Sequence, residues 1–201
     1  MASKPEIANM TLSHLGIGNE ITSIETDRSN EAAAVRRFYS LALETTLRDG
    51  KWPFATVIED LGLIETDPND EWSYSYRHPV NCAKIIKILS GTRNDTHQSR
   101  VPFKIAKDSA GRIIFTDKED AQVEFIQIID DPQFYTADFI LAFSLKLAYM
   151  IIPRLSVGDP NGLRPIIERQ YLAALSTAEK NAGNEEQPEV LPEAELIRGR
   201  E

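Results

Sequence analysis

Residues 134–152 read FYTADFILAFSLKLAYMII, and this stretch decides the fold. Its apolar residues recur at the spacing of an α-helix and cover most of the helix circumference, and from Phe139 to Ile152 only Ser144 and Lys146 interrupt them. The pattern predicts a helix over about residues 132–154. Such a helix lies either at the centre of a helix bundle or against neighbouring subunits.

Three further helices are expected around this one, over about residues 3–15, 30–49 and 160–182. Ser3 and Glu6 have the spacing of a capping box at the start of the first helix. Ser29 is the expected N-cap of the second helix, and Gly50 its end. Asp159-Pro160 opens the fourth, which we expect to end before Gly183.

Between the second and third helices, residues 52–130 change to the period of two that is typical of β-strands. Trp72, Tyr74 and Tyr76 fall on one face of a strand, and their alternative roles are a core or an interface. Further strands are predicted over residues 82–89, 101–106, 112–116 and 121–129. The expected fold is mainly α with a small antiparallel β subdomain (α+β): a helix bundle of about four helices with a β insert between helices 2 and 3.

The domain is expected to cover residues 1–182, followed by an acidic C-terminal tail over residues 183–201. The tail contains six Glu and two Arg, with Pro188 and Pro192 preventing a continuous helix. Two apolar pairs interrupt its acidic sequence, and we expect them to bind a partner protein. They are Val190 with Leu191 and Leu196 with Ile197.

The formal net charge of −9 makes a nucleic-acid-binding groove an unfavourable first interpretation. No apolar run reaches the ~18 residues of a membrane span, and the N-terminus lacks the apolar stretch of a signal peptide. We therefore expect no membrane partner and synthesis in the cytoplasm.

The sequence contains no recognisable catalytic, cofactor or metal motif. His14, His78 and His97 are far apart in the chain, and a lone Cys82 is usually a small buried hydrophobe. A cluster of acids has the alternative interpretation of a carboxylate site in a small hydrolase, although such a pattern more commonly indicates a solvated loop. These acids are Glu59, Asp60, Glu65, Asp67, Asp70 and Glu71. We expect no enzymatic activity and no cofactor.

Several motifs occur in an order that resembles the head-to-tail adaptor family of tailed bacteriophages, the tail tubular protein A-like proteins. The resemblance covers about residues 5–90 by motif and the remainder only by the order of the helices. The motifs are Leu15-Gly16-Ile17-Gly18, Ile21 and Ile24, Asn30-Glu31-Ala32-Ala33-Ala34, Trp52-Pro53-Phe54-Ala55, Trp72-Ser73-Tyr74-Ser75-Tyr76-Arg77-His78-Pro79, and Asn81-Cys82-Ala83-Lys84-Ile85.

The resemblance implies a structural virion protein of the phage neck that assembles as a ring, usually a dodecamer. The implied partners are the portal protein, further copies of the chain, and a downstream tail or nozzle protein. DNA would pass through the lumen without sequence-specific binding. The expected partner-binding residues are the two apolar pairs of the tail together with Trp72, Tyr74 and Tyr76. The alternatives are the hydrolase and another head-completion or tail-terminator component.

Overall fold

The computed structural model describes residues 2–92, 99–155, 159 and 162–185. Its four helices are α1 (Lys4–His14), α2 (Asn30–Asp49), α3 (Ala137–Leu155) and α4 (Leu163–Glu185). Its seven strands are β1 (Thr56–Asp60), β2 (Leu63–Asn69), β3 (Trp72–Arg77), β4 (Cys82–Ile88), β5 (Phe103–Lys107), β6 (Arg112–Thr116) and β7 (Gln122–Gln127). Short 3-10 turns occupy Pro53–Ala55 and Pro132–Phe134. Within the described residues, no helix is both long and apolar enough to cross a membrane.

The first two helices begin at side-chain caps that are visible in the sequence. The Ser3 side chain accepts a hydrogen bond from the Glu6 backbone N–H, and the Glu6 carboxylate accepts from the Ser3 backbone N–H, which completes the predicted capping box. Ser29 caps α2 by accepting from the Ala32 backbone N–H. Helix α2 ends at Gly50, where a Cβ atom would come within 2.8 Å of the Trp52 ring. The absence of a side chain at Gly50 therefore allows Trp52 to pack closely against the end of α2.

Helix α3 is the centre of the helical layer, because α1, α2 and α4 all pack against it. Phe139 and Phe143 are fully buried on α3 and stack with centroids 5.8 Å apart. The ring of Trp52 meets Phe139 edge-on at 4.9 Å, and that of Tyr39 meets Phe143 at 5.1 Å. The chain's own helices thus bury most of the apolar circumference of α3, which therefore gives no evidence of subunit contacts.

The strands form two antiparallel sheets. Sheet A has the order β1-β7-β4, and sheet B has the order β2-β3-β6-β5. Consecutive residues of β7 point to opposite faces of sheet A: Ile126 packs in the helical core, whereas Phe125 packs in a second core with Tyr76 and Ile114 of sheet B. Sheet A therefore lies between the helices and sheet B, and the molecule has three layers.

This layered arrangement corrects the predicted fold class, which is wrong. Of the described residues, 45% are helical and 24% are in strands. The β part is two sheets rather than a small insert in a helix bundle, and sheet A supplies residues to the core of the helical layer. The β part is larger than expected because the acids from Glu59 to Glu71 favour a polar loop, whereas most of them lie on β1 and β2.

Three predicted helix boundaries also differ from the structure. Asp131 caps the 3-10 turn Pro132–Phe134 by accepting from the Gln133 backbone N–H, so α3 begins only at Ala137. The Asp159 carboxylate accepts from the backbone N–H groups of Leu163 and Arg164, which places the start of α4 at Leu163. Helix α4 then continues through Gly183, where the sequence predicted its end.

Candidate assembly surface

The histidines that the structure describes do not converge on one site. His14 lies at the end of α1 with Nε2 3.0 Å from Oγ of the buried Ser144, and burial lowers its pKa. His78 follows β3 with Nδ1 3.0 Å from the Pro79 carbonyl oxygen, and burial is the main cause of its lowered pKa. His97 lies outside the described residues. His14 and His78 have no common partner through which they would act together.

Cys82 has the environment of a protonated thiol rather than that of a nucleophile. It is the first residue of β4 and is half-buried. Burial raises the pKa of its thiol to about 11, against the lowering effect of nearby cationic groups. At neutral pH the thiolate required for attack or metal binding is therefore scarce.

The six clustered acids do not form a catalytic pair. Glu59, Asp60, Glu65 and Asp67 lie on strands β1 and β2 and not in the loop that the sequence favoured, and all six acids are exposed. Paired carboxylates perform acid–base chemistry when their environments separate their pKa values, which exposure to solvent does not do. In the part of the chain that the structure describes, no group of three or more His, Cys, Asp or Glu is placed to hold a metal ion.

The predicted aromatic stripe on β3 faces mainly the core between the sheets. Tyr76 is 2% exposed, and its hydroxyl donates to the Lys118 carbonyl oxygen at 2.8 Å. Tyr74 packs against the same core, with its ring centroid 6.2 Å from that of Tyr76. Trp72 is half-buried at the start of β3, and its buried indole N–H has no partner among the described residues. Only Trp72 and the outer part of Tyr74 are thus available to a partner. The other predicted partner-binding residues, Val190, Leu191, Leu196 and Ile197, lie outside the described residues.

A row of directly paired side chains crosses sheet B from one edge to the other on the face toward sheet A. Leu63 of β2 pairs with Tyr76, Tyr76 pairs with Ile114, and Ile114 pairs with Ile105 of β5. The two central residues are buried, whereas Leu63 is 55% and Ile105 49% exposed at the two ends. Each edge of the sheet therefore presents an aliphatic side chain at the same level.

The adjacent row ends in opposite charges. Glu65 of β2 pairs with Ser75, Ser75 with Phe115, and Phe115 with Lys104 of β5. Glu65 and Lys104 are both exposed. Lys104 also approaches Glu71 at 3.3 Å, but both side chains of that pair are largely in solvent, so the contact contributes little. Opposite edges of one sheet thus carry complementary groups in the same order, and we call the edges at β2 and β5 the complementary edges.

The complementary edges are poorly suited to an extended backbone ladder. Strand β2 pairs with β3 through two register shifts, contains Pro68, and has Asp67 at a φ of 49°. Irregular edges that carry proline and charge prevent unlimited strand addition. Contacts between copies at these edges would therefore depend mainly on side chains.

Sequence periodicity does not indicate this surface, because β2 lacks the alternation of a half-buried strand. Six of its seven residues are exposed, and Leu63 and Ile64 are neighbours rather than alternate positions. The sequence feature that points to this surface is the aromatic stripe of β3. A strand with three aromatics on one face requires partner strands, and the segment just before it is the nearest candidate.

No protein-family model matches the sequence, and no curated protein matches it.

Proposed function

We propose that this chain is a structural protein of the phage virion, a head-to-tail adaptor, whose copies form a ring between the portal and the tail. The observation that carries the proposal is the pair of complementary edges. Leu63 and Glu65 stand at one edge of sheet B, and Ile105 and Lys104 stand in the same order at the other. The order of sequence motifs that resembles the adaptor family supports the same assignment.

Two different but complementary edges favour a ring over a symmetric dimer. A contact between unlike patches repeats from copy to copy, and it closes into a ring when the rotation allows. Strand β5 of one copy would lie beside β2 of the next, with Ile105 next to Leu63 and Lys104 next to Glu65. Because the strands of sheet B alternate in direction, β5 and β2 would meet antiparallel, as the neighbours within the sheet do.

The energy of one such contact is small. Burying the exposed halves of Leu63 and Ile105 contributes about 2–3 kcal/mol, and an exposed Glu65–Lys104 pair adds about 0–1 kcal/mol. Association costs at least about 4 kcal/mol in lost translational and rotational freedom. We therefore expect a monomer in dilute solution and a ring only where a portal holds the copies together.

The charge of the chain is compatible with a channel protein. With a net charge of −9, each copy repels a phosphate backbone, so DNA would slide through the lumen without being held.

The test is to mix the purified chain with the portal protein of the same phage genome and to image the complexes. We expect rings on the portal with the natural chain, and few or none with Lys104→Glu or with Glu65→Lys. The double variant should regain ring formation because the two charges are exchanged. Lys180→Glu, at an exposed position of α4, is the control that makes the same change in net charge as Lys104→Glu, and it should assemble normally.

Absence of rings with the natural chain on an intact portal would contradict the adaptor assignment. Rings that form equally well with all variants would contradict the role of the complementary edges. Symmetric dimers in place of rings would favour another head-completion component.

A further inference from the structure

A cationic pocket is lined by α2, by β4 of sheet A, and by the end of β3 and the start of β6 in sheet B. It has a volume of about 470 Å³, and its lining includes three arginines, Arg48, Arg77 and Arg112. Among the described residues that line it, Glu44 is the only acid. Glu44 and Asp108, which pairs with Arg77, offset part of this charge, so the three guanidinium groups leave a net positive charge at the cavity in a chain whose net charge is −9.

Two of the arginines are held in place, and the third is free to bind. Arg48 donates to the Ala83 carbonyl oxygen at 3.2 Å, and Arg77 forms an ion pair with Asp108 at 3.1 Å. Arg112 is exposed at the start of β6, and no ion pair or side-chain hydrogen bond joins its guanidinium group to another described residue. An arginine fork without a partner, beside two that are fixed, suits a carboxylate or phosphate group.

Apart from Glu44, the groups that share the pocket with the arginines and can titrate, His78 and Cys82, are uncharged near neutral pH. Burial lowers the pKa of His78, with the Arg112 charge as a smaller contribution in the same direction. Burial raises the pKa of Cys82 to about 11. Neither group neutralises the arginines, so the pocket attracts anions throughout the neutral range.

We infer that this pocket binds glutamate carboxylates of residues 183–201 from a neighbouring copy of the chain. That segment is acidic, with six Glu and two Arg, so its charge complements that of the arginines. A chain of the length of residues 186–201 can reach at most about 55 Å, which is sufficient for an adjacent subunit. The choice of a neighbouring copy rests on the proposed ring, whereas the pocket's preference for carboxylates does not.

A peptide suits the pocket better than DNA does. Duplex DNA presents about one charge per 1.7 Å of its axis, and both the net charge of the chain and Glu44 in the pocket oppose such a density. A flexible peptide can place one or two carboxylates among the arginines without bringing further negative charge close to Glu44.

The experiment titrates the full-length chain into a fluorescently labelled peptide with the sequence of residues 183–201. We expect saturable binding at about 50 mM NaCl that weakens strongly at about 300 mM NaCl. Arg112→Gln should weaken binding about five-fold or more, as the loss of a partly exposed charge-assisted contact does. Arg37→Gln, at an exposed position of α2 outside the pocket, makes the same change in net charge and should bind normally. A peptide with all glutamates changed to glutamine should not bind.

Three results would overturn the inference. The first is no saturable binding, or equal weakening by Arg112→Gln and Arg37→Gln. The second is tighter binding of a short DNA duplex than of the peptide at the same salt, which would make the pocket a phosphate site. The third is binding only to a chain whose own tail glutamates are changed to glutamine, which would place the tail of the same copy in the pocket. Ring formation on the portal is measured separately, so loss of peptide binding leaves the adaptor proposal standing.

Discussion

Replacement of Phe125 by alanine tests whether the three layers unfold as one unit. Phe125 is fully buried in the core between the sheets, and the next residue, Ile126, is fully buried in the helical core. Deleting the ring should cost about 3–5 kcal/mol through lost burial and the cavity left behind. For a chain of this size that cost corresponds to a fall in Tm of about 6–20 °C. The melting temperature of the helices should fall by this full amount, because β7 packs in both cores.

The assay is thermal unfolding followed by circular dichroism at the helix band, beside a probe of the β-sheets. Both probes should report one transition that moves to lower temperature by the same amount. Phe115→Ala is the matched control, since Phe115 is only partly buried, on the face of sheet B away from sheet A, and should cost about 1 kcal/mol. A helix transition that stays in place while the sheets melt earlier would show that the β part unfolds independently, and would refute the layered account.

Two further predictions concern the helical layer. Asp49 accepts from Lys146 at 2.9 Å and from the Tyr171 hydroxyl at 2.7 Å, so it links α2 to α3 and α4, and Asp49→Ala should cost about 1–3 kcal/mol in urea unfolding. As a control, Glu44→Ala at an exposed position of the same helix should change the free energy of unfolding by less than about 0.5 kcal/mol. An equal loss of stability in both variants would show that Asp49 does not link the helices. Because burial lowers the pKa of His14, the unfolded chain binds its proton more readily than the folded protein does. Stability should therefore be complete above about pH 6.5 and fall as the pH drops below it. His14→Gln should make this fall shallower, and an unchanged Tm profile from pH 7.5 to pH 5 would contradict the explanation.

The parts of the fold that local signals determine could be read from the sequence. Each of these signals acts between residues close together in the chain. Hydrogen bonds between Ser3 and Glu6 mark the start of α1, and the Ser29 cap marks the start of α2. The close contact of Gly50 with the Trp52 ring marks the end of α2. The apolar run of α3 likewise required burial, but the sequence left open whether other helices or other subunits supply it. In the structure, helices of the same chain bury α3, since α1, α2 and α4 all pack against it.

The rest depends on contacts that are distant in the chain. Strand β1 exists because it pairs with β7, some 65 residues later, and β2 because it pairs with β3. Exposed edge strands carry little alternation, so sequence periodicity does not indicate them. The complementary edges and the cationic pocket are both products of such pairing. Lys104 and Glu65 become the two ends of one row only because β3 and β6 pair between them. Arg48 of α2 and Arg112 of β6 line the same pocket only in the folded chain.

Cross-linking of the two complementary edges tests the central claim most directly. The experiment uses the double variant Leu63→Cys with Ile105→Cys in a Cys82→Ser background, assembled on the portal and oxidised mildly. We predict a ladder of disulfide-linked species on a non-reducing gel that ends in a closed ring, and at most dimers from each single-cysteine variant. Rings that form without cross-links, or ladders from the single variants, would contradict the account.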